Sequence, residues 1–201
     1  MKSQRHFFLV FGPPAVGKMT VAYALAEQCD GKVFHNHMSI ELLLPFFSFG
    51  SDSFTYLNTL IRKRMFQEVA KSDIPVFIFT LVLEPDTKED REYVCSLYDV
   101  FAEHGWNCLF VELEATLEER IKRNRSEFRL AQKASKRDTE ASTARLLAHE
   151  KNGIRFNTTD EFIFADRHLK INNTNLSAEK VAERICAHFN IPTVNKGITK
   201  E

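Results

Sequence analysis

Apolar residues along this chain follow two alternating rhythms: short uninterrupted runs, and longer stretches in which they recur every three or four positions. Residues 7–10 are Phe-Phe-Leu-Val, apolar at every position, as in a strand buried on both faces of a parallel sheet. Val21, Ala22, Leu25 and Cys29 then recur at helical spacing, and Asp30 with Gly31 stops that helix. A short second strand over residues 32–34 leads into His35, Asn36 and His37, after which residues 38–44 predict one or two helical turns ahead of Pro45. Leu57, Leu60, Ile61, Met65 and Val69 share one face of a helix ending near Asp73. Residues 76–83, 107–113 and 168–172 read as the third, fourth and fifth strands. Asp86 and Glu89 have capping-box spacing ahead of a helix carrying Val94, Leu97, Tyr98 and Phe101, which Gly105 ends. Thr116 and Glu119 have the same spacing ahead of a helix that runs into a basic stretch. A last helix turns Ala178, Val181, Ala182, Ile185 and Phe189 inward.

Strands alternating with helices imply βαβ units with right-handed crossovers, hence an α/β fold whose five-stranded, mostly parallel sheet is covered on both faces. The 201 residues fit a single domain spanning 1–201, and only the tail from residue 192 onward reads as loosely held. Composition narrows the class without changing the picture. With 44% hydrophobic and 27% charged residues the chain is globular, and 27 basic against 27 acidic residues leave no overall bias toward nucleic acid or an anionic membrane. The first apolar run is too short for a secretory signal, and no run approaches the roughly 18 apolar residues of a membrane helix, so a cytoplasmic location is expected. Cys29, Cys95, Cys108 and Cys186 form no CxxC pair, which fits free thiols in a reducing compartment.

The strongest chemical signal lies between the first strand and the first helix. Residues 12–20, Gly-Pro-Pro-Ala-Val-Gly-Lys-Met-Thr, have the glycine, four-residue gap and Gly-Lys of a Walker A loop, with Met19 at the usual Ser/Thr position. In such a loop successive backbone N–H groups face one anion, Gly17 permits its close approach, and the helix that follows presents its positive end. Gly12, Ala15, Val16, Gly17, Lys18, Met19 and Thr20 are therefore the expected ATP-binding residues, with Lys18 reaching the β- and γ-phosphates.

On these residues, together with residues 34–38 (Phe-His-Asn-His-Met), 136–138 (Lys-Arg-Asp) and 166–169 (Asp-Arg-His-Leu), the chain resembles the nucleoside-monophosphate-kinase-like group of P-loop kinases. That group includes adenylate kinase, shikimate kinase and chloramphenicol phosphotransferase, and the chain is also similar to bacterial ATPases labelled shikimate-kinase-like. The resemblance covers nearly the whole chain. It implies strand order 2-3-1-4-5, an arginine-bearing lid at about residues 120–152, and ATP with Mg²⁺ bound across the loop. By analogy with adenylate kinases, whose residue after Gly-Lys also lacks a hydroxyl, Thr20 takes the phosphate or Mg²⁺ role. Two departures stand out. Shikimate kinase places carboxylates after its second strand where this chain has His35, Asn36 and His37, and the third strand carries no Walker B acid, which leaves Mg²⁺ to phosphates and water.

His35 and His37 are two apart and share one face if the strand continues, which suits a general base acting on an acceptor or, less readily because only Glu41 offers a third ligand, a metal pair. The bland alternative is a pair of polar residues at a strand end. His37 and Glu41, four apart, can meet on a helical turn. Between residues 120 and 137, Arg120, Lys122, Arg123, Arg125, Arg129, Lys133, Lys136 and Arg137 face Glu127 alone. Such a segment suits a lid whose arginines neutralise the transferred phosphoryl group, with Arg120 and Arg125 as first choices. A solvated helix face is the competing reading, and an RNA patch ranks below both because aromatic residues are nearly absent. Leu42, Leu43, Leu44, Phe46, Phe47 and Phe49 border the acceptor loop as pocket lining, core or a homodimer contact. Arg62 and Arg64 either bind an acidic substrate or sit on an exposed helix face. The expected activity is phosphoryl transfer from ATP to a small molecule. The alternative is a nucleotide-binding ATPase or switch without an acceptor, although residues 195–198, Asn-Lys-Gly-Ile, lack the aspartate of a GTPase base-reading element.

Overall fold

A computed structural model describes residues 4–194 of the chain. Five parallel strands, β1 (His6–Phe11), β2 (Lys32–His35), β3 (Val76–Thr80), β4 (Asn107–Glu114) and β5 (His168–Asn172), form one sheet in the order β2-β3-β1-β4-β5. All six residues of β1 are buried, as its uninterrupted apolar run requires for the central strand. Helices α1 (Lys18–Cys29) and α8 (Ala178–Phe189) cover one face, and α3 (Asp52–Lys71) and α4 (Lys88–Ala102) cover the other. The short α2 (His37–Leu43) follows β2, and α5 (Leu117–Asn124), α6 (Glu127–Gln132) and α7 (Thr139–Lys151) lie between β4 and β5.

The two-residue period of the strands sorts the core into unlike halves. Phe8, Val10, Val111 and Leu113 meet Val21, Leu25, Val181 and Ile185 in a mostly aliphatic layer. Phe7, Leu9, Phe11, Phe77, Phe79 and Phe110 meet Phe66 and Phe101 in an aromatic one, where the rings of Phe7 and Phe101 stack with centroids 4.1 Å apart.

Several expected elements differ in detail. The third strand ends at Thr80, not at residue 83. Helix α3 is longer than its predicted face: it starts behind Ser51 and buries Phe54, Phe66, Val69 and Ala70, while Leu60 and Met65 stay exposed. Thr87, not Asp86, caps α4, its hydroxyl accepting from Asp90 N, because Asp86 is taken up by Arg91 and Thr159. The Thr116 cap forms as read, accepting from Glu119 N. The basic stretch is not one helix but is broken among α5, α6, a 3-10 turn at Ala134–Lys136 and α7. In the tail Val194 N donates to Gln28 O, so the chain is tied at least to that point; the rest of the predicted loose tail lies outside the described residues. Among the described residues no helix is long and apolar enough to cross a membrane.

Candidate phosphate-binding site

The sheet delivers the chain from β1 into a loop whose backbone is fixed from both sides. Gly12 has φ 135, and a Cβ there would lie 2.3 Å from the carbonyl oxygen of Leu113 in β4, so the close approach to the neighbouring strand requires glycine. Gly17, at φ 107, is the N-cap of α1 and offers no capping side chain. By contrast Ser51, Thr87, Thr116, Asp138 and Ser177 each accept a backbone N–H at the starts of α3, α4, α5, α7 and α8. The first amides of α1 are thus left without the partner that those helices provide, and its positive end is open to an anion. Lys18, buried, folds its ammonium back over the loop and donates to Gly12 O at 2.7 Å and Pro13 O at 2.8 Å. Met19 is buried and presents only a thioether, while Thr20 is exposed in the first turn of α1.

Helix α5 braces this loop with two arginines one turn apart. Arg120 is 4% exposed; its Nε donates to Pro14 O at 3.0 Å, its Nη1 pairs with Glu150, and its buried Nη2 has no hydrogen-bond partner. Arg123 donates through Nη1 to Val16 O at 2.7 Å and through Nη2 to Asn173 O at 2.8 Å, and Glu119 holds its Nε at 2.9 Å. The Asn173 side chain adds a donor to Val16 O at 3.0 Å. Arg125, at the end of α5, is exposed. Arg120 and Arg125 therefore do not point to one place, and Arg123, not among the favoured arginines, is the one that meets the loop and its cleft. The i, i+3 spacing from Arg120 was the available signal, shared with too many basic neighbours to single it out. The cleft, about 280 Å³, is lined by Gly17, Lys18, Thr20, Arg123, Phe128 and Asn173 among others.

Strand β2 ends at His35 and Asn36 becomes the N-cap of α2, so His35 and His37 do not share a strand face as expected if the strand continued. His35 is buried edge-on to Tyr23, and burial, then the nearby Lys133 ammonium, push its pKa down to about 4. His37 Nδ1 lies 3.0 Å from Glu41 Oε1, the contact that their spacing predicted. Glu41 also accepts from Ser135 N at 3.1 Å and from the Ser135 hydroxyl, which ties α2 to the segment between α6 and α7. Arg62 is turned inward: its Nε donates to Ser39 Oγ and its Nη2 to Asn36 O, with the guanidinium over the Phe79 ring. Arg64 contacts only Gln67 among the hydrogen bonds found, on an exposed face. Of the apolar group after α2, Leu43 is buried with Ile40 and Phe54, whereas Leu42, Phe46 and Phe49 are exposed.

A carboxylate that the sequence reading passed over sits beside the loop. Glu112 pairs in register with Phe11 and is fully buried. Burial alone would raise its pKa, but donors from His168, Asn157, Thr158 and Lys170 outweigh it and bring the value down to about 2. Asn157 Nδ2, Thr158 N and the Thr158 hydroxyl reach it at 2.8, 3.0 and 2.8 Å. A lone acid inside an otherwise apolar strand was its signal. With its oxygens so occupied, Glu112 is a structural anchor, and among the described residues no group of three or more His, Cys, Asp or Glu side chains gathers to hold a metal.

A Gly-x₄-Gly-Lys loop after the central strand of a parallel 2-3-1-4-5 sheet, with helices on both faces, makes a three-layer architecture, and the fold is that of solved kinases such as shikimate kinase. Comparison with solved structures gives it particular neighbours. A Chloroflexus aurantiacus protein with a provisional kinase name matches at TM-score 0.64 and 13% identity, over 94% of this chain and 98% of that one. Shikimate kinase from Bacteroides thetaiotaomicron matches at TM-score 0.53 and 16% identity, over 92% and 98%. The Mycobacterium tuberculosis APS kinase, solved in complex with AMPPNP and APS, matches at TM-score 0.53 and 13% identity, over 94% and 99%. At these identities what is shared is the fold. No protein-family model and no curated protein matches the chain in sequence.

Proposed function

We propose that this chain is an ATP-dependent kinase that transfers the γ-phosphoryl group to a hydroxyl or phosphate group of a small molecule. The observation that carries the reading is the open N-terminus of α1, which lacks the side-chain cap found on α3, α4, α5, α7 and α8 and has the Lys18 ammonium beside it. The P-loop kinase architecture of its structural neighbours supports the same reading.

Gly12, Ala15, Val16, Gly17, Lys18, Met19 and Thr20 bind the ATP phosphates, chiefly through backbone N–H groups, so the thioether of Met19 is no obstacle. Lys18 exchanges its two loop carbonyls for phosphate oxygens and stabilises the charge that develops on the transferred group. Arg123 and Asn173 hold Val16 O and so keep the loop amides aimed. The cleft between Thr20 and Phe128 accommodates the nucleoside. Thr20 is the side chain that fits Mg²⁺, a hard cation that takes oxygen ligands, with phosphates and water completing its shell. Mg²⁺ supplies neutralisation of the phosphate charge when bound. In the transfer the acceptor oxygen bonds to phosphorus while the bond to the β–γ bridging oxygen breaks, its electron pair leaving with ADP, and the acceptor proton passes to a base or to solvent.

Residues from about 120 to 152 act as the lid. Arg120 keeps a role at the loop, and Arg125, exposed at the end of α5 next to the cleft-lining Ser126, approaches the phosphates on closure. His35, uncharged near neutrality, and His37, oriented by Glu41, serve the acceptor side beneath the lid. The decisive experiment is an ATP-consumption screen across nucleosides, nucleotides, sugars, hydroxy acids and antibiotics, with Lys18→Ala as control. Turnover stimulated by one acceptor and lost in Lys18→Ala supports the kinase; hydrolysis indifferent to every acceptor favours the ATPase or switch instead.

A further inference from the structure

Two recesses flank the phosphate loop, and they share no lining residue. The cleft on the α1 side borders Gly17 through Val21. A second recess of about 350 Å³ borders Pro13 and is walled by Arg120, Glu150, Arg155, Asn157 and Thr158. Its size is within the usual range of small-molecule sites, about 300–1,000 Å³. Arg120 and Arg123, neighbours on one helix face, thus meet one loop at different points, Pro14 O and Val16 O, and each lines one of the recesses. We propose that the Pro13 recess is the subsite that anchors the acceptor, and that it takes an oxyanion, a carboxylate or phosphate ester, carried on a small hydroxylated molecule. The assignment rests on the kinase reading, because in-line transfer places acceptor and nucleotide on opposite sides of the transferred group.

The chemistry of the wall selects the ligand. The recess offers hydroxyl and amide groups and two guanidinium groups against the single carboxylate of Glu150. Glu150 engages Nη1 of Arg120, while the buried Nη2 of the same guanidinium has no hydrogen-bond partner. Arg155, exposed at the recess, has the fork geometry that binds a planar or tetrahedral oxyanion. The polar wall is also held in place before any ligand binds. Glu112 fixes Asn157 and Thr158 from inside the fold, and Asp86 fixes Thr159 through its hydroxyl at 2.9 Å and its N–H at 3.2 Å. Such pre-set groups suit anchoring a part of the substrate remote from the reacting oxygen.

The test is amide NMR on the full ¹⁵N-labelled chain, first saturated with a non-hydrolysable ATP analogue and then titrated with glycerate, glycerol 3-phosphate or glycerol. The analogue arm reads the nucleotide site alone: shifts at Gly17 through Thr20 support the kinase reading, and their absence sinks that reading by itself. The probe arm, run with and without analogue, reads the recess. Saturable shifts at residues 155–159 with one or both anions, none with neutral glycerol, and about tenfold weaker binding in Arg155→Glu or Arg155→Gln are expected. Which anion binds decides between carboxylate and phosphate. Shifts confined to residues 12–20, equal response to glycerol, an Arg155 variant that binds as well as wild type, or no response at tens of millimolar would each overturn the proposal.

Discussion

Helices α1 and α8 lie side by side on the same face of the sheet, each twelve residues long, yet they begin in opposite ways. Helix α8 opens on Ser177, extended at φ −70, whose hydroxyl accepts from Lys180 N. Helix α1 opens on Gly17, left-handed at φ 107, with no side chain to accept anything. The same unmet backbone donors arise at both ends, because the first turn of any α-helix lacks intrahelical partners. At α8 a side chain of the chain meets one of them, and at α1 no capping side chain does, which leaves them to the phosphates under the proposed function. Under the proposed function, the difference separates a helix start built for stability from one built for binding.

The largest effect should come from breaking the α1 side. Lys18→Ala removes the ammonium folded over the cradle, and turnover on an identified acceptor is expected to fall by about 10²–10³, comparable to deleting one donor of a preorganised site. Its unfolding midpoint in urea should move little. In a thermal-shift titration wild type should rise with ATP-analogue concentration while Lys18→Ala rises much less, since only native-state binding stabilises. A variant that keeps full turnover would remove Lys18 from the mechanism.

Gly12→Ala attacks the same start through its backbone. The new Cβ would meet the Leu113 carbonyl at 2.3 Å in a conformation that side chains rarely adopt, so β4 or the loop must shift. Stability is expected to drop by on the order of 3 kcal/mol in urea unfolding, with nucleotide affinity falling alongside it. Unchanged stability would mean that the loop does not lie against β4 as described.

A third effect sets both helix starts against the opposite face of the sheet, where a charge is held inside the fold. The carboxyl of Glu112 has a folded pKa of about 2 against the ordinary 4.5 of a glutamate. A lowered folded value means that its contribution is fully present above pH 4.5 and fades as pH falls toward 2. We expect on the order of 3 kcal/mol of stability to be lost across that window, and Glu112→Gln to flatten the acid limb of the profile while lowering stability at neutral pH. An unaltered acid limb in Glu112→Gln would show that other groups govern it. Acidification through the range from pH 6.5 to 4 should also loosen the His35 contact, since its lowered pKa makes the folded state favour the neutral ring.

These sites differ in how far the sequence announces them. The strands and the place of the loop between β1 and α1 are legible because burial on both faces leaves an unbroken apolar run, and Gly-x₄-Gly-Lys follows it directly. Thr116 is legible as a cap because the motif is local. Asp86 was mistaken for a cap because its partners, Arg91 and Thr159, become visible only after folding brings residues 86 and 159 together. Arg123 was hidden among eight basic residues between 120 and 137, since only the docking of α5 on the loop decides which guanidinium meets Val16 O. Glu112 is hidden because a Walker B acid is expected in the third strand, while this acid lies in the fourth.

The smallest expected effect tests the α8 side. Ser177→Ala removes the hydroxyl that satisfies Lys180 N and leaves that donor to water at an exposed helix start. The cost should be about 1 kcal/mol, the usual worth of a serine cap, read as a lower urea midpoint at unchanged slope. Nucleotide affinity should stay at the wild-type value, because Ser177 lies at a helix end that no phosphate is proposed to occupy. An ATP analogue should therefore raise the stability of Ser177→Ala by the same increment as wild type, whereas in Lys18→Ala the increment shrinks with apo stability little altered. If Ser177→Ala instead weakened nucleotide binding tenfold, the two helix starts would be coupled through their shared layer, and the division between a start for stability and a start for binding would fail.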